Sequence, residues 1–298
     1  MNIIRNKIIL LCLACVTMIF IKPLYTLFCL ALKDETHSYI ILVPVITIYM
    51  IQLKIASMPE VSITHPWRAL ALILIVGSLC IVVLNFKTLN LDHIITLSTL
   101  IVFYLALIII LLFVFYGSAV VFHLAFPLGF LLFMVPLPEF ITNYIEEILM
   151  YKSTDLAAYF LNCFKCPVLR VGQIIELPGT SLHVARACSG IRSTLILFIS
   201  SLVASHIFLA SSMHRTIFVS IVIPLGIIRN SFRITVIGLA CVYSGPDMID
   251  SWIHHHGGLV FFVVSLIPLF ITGYYLRKLE RKRHSICVRP ENHVLSAE

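Results

Sequence analysis

Residues 93–115 read HIITLSTLIVFYLALIIILLFVF, with no acidic side chain, lysine or arginine anywhere in the run. A helix needs about 20 consecutive apolar residues to cross a bilayer core. This stretch therefore predicts a transmembrane helix, and the rest of the chain repeats the pattern. Apolar runs at roughly 8–32 (broken at Pro23), 39–53, 69–86, 119–135, 191–209, 217–243 and 259–276 bring the expected total to about eight spans. The 298 residues are 60% hydrophobic and 12% charged, with mean hydropathy +1.04. A soluble domain carries about 25% charged residues, so lipid must solvate much of this chain. The expected fold is mainly α: a polytopic membrane protein.

Charge placement predicts the orientation. The formal charge of +7 does not point to nucleic acid, because the basic residues cluster in short loops and in the run Arg277-Lys278-Leu279-Glu280-Arg281-Lys282-Arg283. With eight spans, Arg5, Lys7, Lys54, Arg68, Arg215 and this run fall on one side, the cytoplasmic one by the positive-inside rule. Asp34, Glu35, Asp92, Glu139, Glu146, Glu147, Asp155, Glu176, Asp247 and Asp250, ten of the 14 acidic residues, fall on the other. Both termini are then expected in the cytoplasm. Residues 1–22 resemble a signal peptide but lack a small-residue cleavage site, so they are expected to stay as the first span. Residues 1–276 are expected to form one membrane domain, and 277–298 a basic cytoplasmic tail.

The longest interval between spans, 137–188, is expected outside. Its first half has apolar residues at helical spacing and predicts an amphipathic helix in the bilayer interface. Its second half alternates: Gln173 to Leu177, a Pro178-Gly179 turn, then Ser181 to Val184. That pattern predicts a small β-hairpin leading into the span that starts near Ile191.

Chemistry-bearing residues gather near the outer ends of these spans. Cys188 opens the sixth span, where a helix N-terminus stabilises a thiolate; Arg192, four residues on, adds a cation. The alternative reading of Cys188 is a small residue in a tight junction. Arg229 and Arg233 lie inside the seventh span, where arginine is costly and faces protein or a wet cavity. A structural ion pair or an anionic partner would each explain them. His254, His255 and His256 precede Gly257-Gly258 on the same side as Cys188. Adjacent helical residues diverge, so a shared metal is not expected, and one imidazole as general acid/base is more economical. The spacing to Gly258 favours His254, with Asp250 four residues earlier to orient it. His37 alone reads as an interfacial histidine. Most of the nine cysteines read as buried small hydrophobes. Cys163 and Cys166 form an isolated Cys-x-x-Cys, too little for a zinc site, and read as a dispensable pair able to form a disulfide. No cofactor or metal is expected.

Together these segments resemble the exosortase/archaeosortase family of membrane-embedded cysteine transpeptidases. The resemblance rests on Ala187-Cys188-Ser189-Gly190, Asn230-Ser231-Phe232-Arg233 and His254-His255-His256-Gly257-Gly258, in that order. It extends to His37-Ser38-Tyr39, to Phe133 through Pro138, and to Gly172 through Pro178. It implies a sorting reaction at the outer face of the inner membrane. Cys188 is the implied nucleophile, Arg233 the oxyanion-stabilising or positioning residue, and His254 the general acid/base; Arg192, Asn230, Asp250, His37 and Arg229 support them. The implied partners are secreted proteins with a short C-terminal recognition motif (Pro-Glu-Pro in the best-known class), a transmembrane helix and a basic tail, together with an acceptor nucleophile. Arg186 departs from the family, which commonly has an acidic residue there. The readings outside this family are an anion or polymer-precursor transporter and a non-catalytic exopolysaccharide assembly factor.

Overall fold

The computed structural model describes residues 2–59, 77, 93–178, 180–184, 189–245 and 252–287. The chain divides into two compact units, Met1–Thr142 and Asn143–Glu298. Among the described residues five helices are long and apolar enough to cross a membrane, or up to seven if each of two bent helix pairs counts as one span. The run at 69–86, expected as the third span, lies outside the described residues apart from Gly77.

In the N-terminal unit, α1 (Asn2–Ile19) and α2 (Ile21–Lys33) cover the expected first span as a pair bent by 68°. The bend falls at Phe20, not at Pro23. Pro23 is the third residue of α2, where an N–H would have no intrahelical acceptor, so its absence costs little. Phe20 is buried and packs on Tyr104 with ring centroids 5.6 Å apart. A 3-10 helix (Glu35–Ile41) leads into α3 (Leu42–Ile55), and α4 (His93–Tyr116) is the helix of the opening sequence.

The expected continuous span at 119–135 is corrected. Gly117, at φ 85, ends α4, and two six-residue helices follow, α5 (Ser118–His123) and α6 (Ala125–Phe130), then a 3-10 turn (Leu131–Met134). The cause is Pro127. It has no N–H to give the carbonyl of His123, four residues earlier. The Lys54 ammonium takes that place, donating to the His123 carbonyl at 3.0 Å.

In the C-terminal unit, α7 (Glu139–Cys163, starting just before the unit boundary) is followed by a three-stranded antiparallel sheet: β1 (Leu169–Val171), β2 (Ile174–Leu177) and β3 (Thr180–His183). β2 and β3 pair with Ile174 opposite His183 and Leu177 opposite Thr180. β1, which the alternation did not predict, adds to the free edge of β2. Arg170 of β1 forms an ion pair with Asp155 of α7 and stacks 4.4 Å over the Tyr151 ring. Helix α7 is amphipathic: Tyr144, Tyr151 and Tyr159 are exposed, while Met150, Ala157 and Leu161 are buried.

The remaining helices are α8 (Ile191–Phe208), α9 (Ser212–Ser220), α10 (Val222–Ser244) and α11 (Trp252–Cys287). Two cores form along α10. Near its start, Val222 packs with Leu197, Phe218 and Leu269. Towards its end, Ile234, Ile237 and Cys241 pack with Leu161, Ile175 and Leu182 from α7 and the sheet. The apolar stretch Ser212–Ser244 has 33 residues, about 50 Å at 1.5 Å per residue, well over the ~30 Å of a hydrocarbon core. Its second half instead carries the sheet and α7. At the other end the Glu280 carboxylate of α11 accepts from the N–H of Ala210 (2.9 Å), the N–H of Ser211 (2.8 Å) and His214 Nδ1 (2.9 Å). That clamp fixes the register of α11 against the α8–α9 turn.

Candidate active site

The junction that opens α8 is built around one peptide oxygen. Gly190 is the N-cap of α8 and adopts φ 72, ψ 13, a left-handed conformation that glycine takes without penalty. Its carbonyl oxygen accepts from Thr194 N (3.0 Å), Thr194 Oγ1 (2.8 Å), Ser193 Oγ (3.2 Å) and Arg229 Nη2 (3.2 Å). The same Nη2 donates to Thr194 Oγ1 at 3.1 Å. An ordinary helix start offers this carbonyl a single N–H. Here the first turn of α8 is tied to α10 by a guanidinium as well.

Glycine also makes the approach possible. A Cβ on Gly190 would lie 3.1 Å from Asn230 Cγ and Oδ1 and 3.4 Å from Arg229 Nη2. One turn earlier on α10, a Cβ on Gly226 would lie 2.7 Å from Thr194 Oγ1. Gly226, Arg229, Asn230 and Arg233 recur at three- and four-residue spacing, so they share the helix face turned to α8. Asn230 and Arg229 are buried, at 3% and 8% exposure. Arg233, one turn on, is half-buried. Arg229 is thus level with the first turn of α8, not with its middle. Arg192, expected to bring a cation to this junction, is exposed; the guanidinium held here is that of Arg229.

Cys188, Arg186 and Asp250 lie outside the described residues, as do the side chains of the three histidines. The backbone puts His254 in the first turn of α11. Phe261, seven residues on, meets Phe232 edge-to-face with ring centroids 6.2 Å apart. Two helical turns, about 10 Å along the axis, separate His254 from that contact beside Arg233.

In the N-terminal unit, His37 stands in the 3-10 helix that leads into α3. It is buried at 5% exposure, and its Nδ1 lies 2.8 Å from Asp34 Oδ2. Its Nε2 is buried with no hydrogen-bond partner among the described residues. The Asp-x-x-His spacing was legible in the sequence; the turn that closes it was not. Burial pushes the Asp34 carboxyl up, but the Thr36 N–H and the His37 imidazole outweigh it and hold the group below its ordinary value of 3.8. A depressed carboxylate contributes stability that is complete above its unfolded-state value and is lost as pH falls through the folded one. Asp34→Asn is therefore expected to unfold at lower temperature than wild type at neutral pH. The gap should close below about pH 3.8, as read by thermal unfolding in detergent across pH; a gap of constant size would refute the linkage.

Cys163 and Cys166 do not pair. Both are free thiols, Cys163 exposed and Cys166 buried in the core between α7 and the sheet. The turn after α7 sends the two side chains in different directions. The residues that sequence reasoning missed are Ser193, Thr194, Gly226 and Asp34. Each acts through a contact that no short motif records.

Residues 31–271 match the family model for transmembrane exosortases. The chain matches no curated protein and no solved structure. The family match covers most of the chain, including the Gly190 junction, the Asn230–Arg233 segment and the first turn of α11. The chain belongs to the transmembrane exosortase family.

Proposed function

We propose that this chain is a membrane cysteine endopeptidase and transpeptidase that cleaves a C-terminal sorting signal on secreted proteins. The observation that carries this reading is the seam between Gly190 and Asn230. The last residue of the Ala-Cys-Ser-Gly segment, Gly190, lies against the first of the Asn-x-x-Arg segment, Asn230, although the two stand 40 positions apart. The third segment opens α11, which packs beside α10.

In this reading the Cys188 thiolate attacks the peptide carbonyl carbon near the recognition motif. The carbonyl π electrons move to oxygen, and Arg233 stabilises the oxyanion. Collapse expels the leaving amine, which His254 protonates, and leaves a thioester on Cys188. An acceptor nucleophile then attacks the thioester, His254 takes its proton, and the thiolate is released. The substrate is a secreted protein with a Pro-Glu-Pro-like motif, a transmembrane helix and a basic tail. The chain would lie in the inner membrane with about eight spans, both termini in the cytoplasm and the site on the outer face, where such a motif emerges from the substrate's own span.

The test is co-production with such a substrate. Wild-type enzyme is expected to shorten it, and mass spectrometry of the new C-terminus separates a free carboxylate (hydrolysis) from added acceptor mass (transfer). Intact substrate beside correctly inserted wild-type chain would sink the protease reading and return the transporter or assembly-factor readings.

A further inference from the structure

We infer that Arg229 is a positioning residue for the Cys188 segment, acting through the Gly190 carbonyl and Thr194 rather than on the substrate. The inference rests on the proposed nucleophile role of Cys188 and adds to it a residue that the three family segments do not include.

Three observations carry it. First, Arg229 is 92% buried (8% exposed), and no carboxylate among the described residues pairs with it. A buried guanidinium without a counter-charge is a poor way to stabilise a helix seam; apolar residues of similar volume do that better. Second, Arg229 and Arg233 stand one turn apart on the same face of α10, an arrangement of like charges that destabilises a helix. Stability alone would not favour Arg229 there. Third, Nη2 of Arg229 is committed to the Gly190 carbonyl (3.2 Å) and to Thr194 Oγ1 (3.1 Å), while Nη1 is buried with no hydrogen-bond partner among the described residues. The bonds that Arg229 makes go to the α8 junction, one to a backbone carbonyl and one to the hydroxyl that shares it.

The consequence is local. A residue two positions away along any chain lies within about 7 Å, Cα to Cα. Rotation of the Gly190 peptide would therefore displace the preceding segment relative to the α8 N-terminus. That peptide is held by its oxygen, and the oxygen is held by Arg229 and the Thr194 it orients. Lysine would keep the charge but lose the planar guanidinium, whose Nη2 reaches both acceptors from one place.

The experiment uses the full-length chain in detergent or proteoliposomes. Alkylation of Cys188 by iodoacetamide is followed against pH, by mass spectrometry of the peptide that contains it, and needs no substrate. Cleavage of a tailed substrate is measured in parallel. Arg229→Lys is expected to raise the apparent thiol pKa by about one unit and to lower kcat about 100-fold with KM little changed. Thr194→Val should move both readouts in the same direction by less. The double variant should be no worse than Arg229→Lys alone, because both act on one oxygen. Arg229→Met should match or exceed the lysine variant; if it fails to accumulate in the membrane, the Arg229→Lys and Thr194→Val pair decides.

Wild-type behaviour in Arg229→Lys would overturn the positioning role, since a cation alone would then suffice. Additive effects of Arg229→Lys and Thr194→Val would overturn the shared path. A wild-type Cys188 that alkylates as an ordinary thiol, with no cleavage, would sink the nucleophile reading and this inference together. A lowered wild-type thiol pKa left unchanged by Arg229→Lys would sink the inference alone.

Discussion

Cys188→Ala is expected to leave a tailed substrate at full length, with cleavage reduced by about 10⁴-fold or more, the scale of loss on removing a covalent nucleophile. In the proposed mechanism alanine removes the sulfur that would carry the acyl group. The Gly190 carbonyl and its four donors are built from Ser193, Thr194, Arg229 and the backbone, so the substitution should leave the α8 junction and the protein's stability intact. Membrane levels and melting temperature are therefore expected to match wild type. Cys188→Ser separates nucleophilicity from shape: a hydroxyl at the same place ionises far less readily than a thiol, and the same loss is expected. Trapping offers an independent readout, since a thioester adduct at Cys188 should be seen by mass spectrometry in wild type and in neither variant. Cleavage that persists in Cys188→Ala would end the assignment, and with it the roles proposed for Arg233 and His254.

Gly190→Ala is expected to cost about 100-fold in activity while leaving every proposed reacting group in place. Two penalties combine. At φ 72 an L-residue carries a backbone strain of about 1–2 kcal/mol. The new methyl would also sit 3.1 Å from Asn230 Cγ and Oδ1 and 3.4 Å from Arg229 Nη2. Asn230 lies in the middle of α10 and is buried at 3% exposure, so it has little room to retreat. The junction must rotate or α8 must move away from α10, and either change disturbs the Gly190 carbonyl. A displacement of about 1 Å in a catalytic arrangement costs about 100-fold in rate, and that loss is the expectation here.

Gly172→Ala is the matching control. Gly172 has a similar φ of 63 in the β1–β2 turn, but a Cβ there meets nothing within 4 Å. It should show the backbone penalty in its melting temperature and keep its activity. Equal activity in the two variants would mean that the contact with Asn230 is irrelevant to function.

The α10 face shows why some of this was legible in sequence and some was not. The apolar runs marked α4, α8 and α11 because a spanning helix is a local property: about 20 residues must each be tolerable in lipid, whatever lies beside them. The alternation on either side of Pro178-Gly179 marked β2 and β3 for the same reason, since side-chain period is local. The break between α5 and α6 was harder, because Pro127 takes effect at His123 and the group that compensates is Lys54, on another helix. The pairing of Asp34 with His37 required a turn closed by the Thr36 N–H. The separation of Cys163 from Cys166 was also hidden, because Cys166 turns into a core made by residues distant in sequence.

The seam where α8 opens marks the same division. Sequence by itself determined that the chain is a membrane protein and, through three short segments in order, that it belongs among the exosortases. Those signals are linear and survive without knowledge of packing. Tertiary structure alone decided that the Arg229 guanidinium reaches the Gly190 carbonyl at the α8 junction. It also decided that Gly190 and Gly226 stand where α8 and α10 approach closely, and that Thr194 shares the carbonyl. The contacts involved link residues 35 and 39 positions apart. They depend on how far α10 is rotated and slid against α8, and one residue along a helix turns a side chain by about 100°.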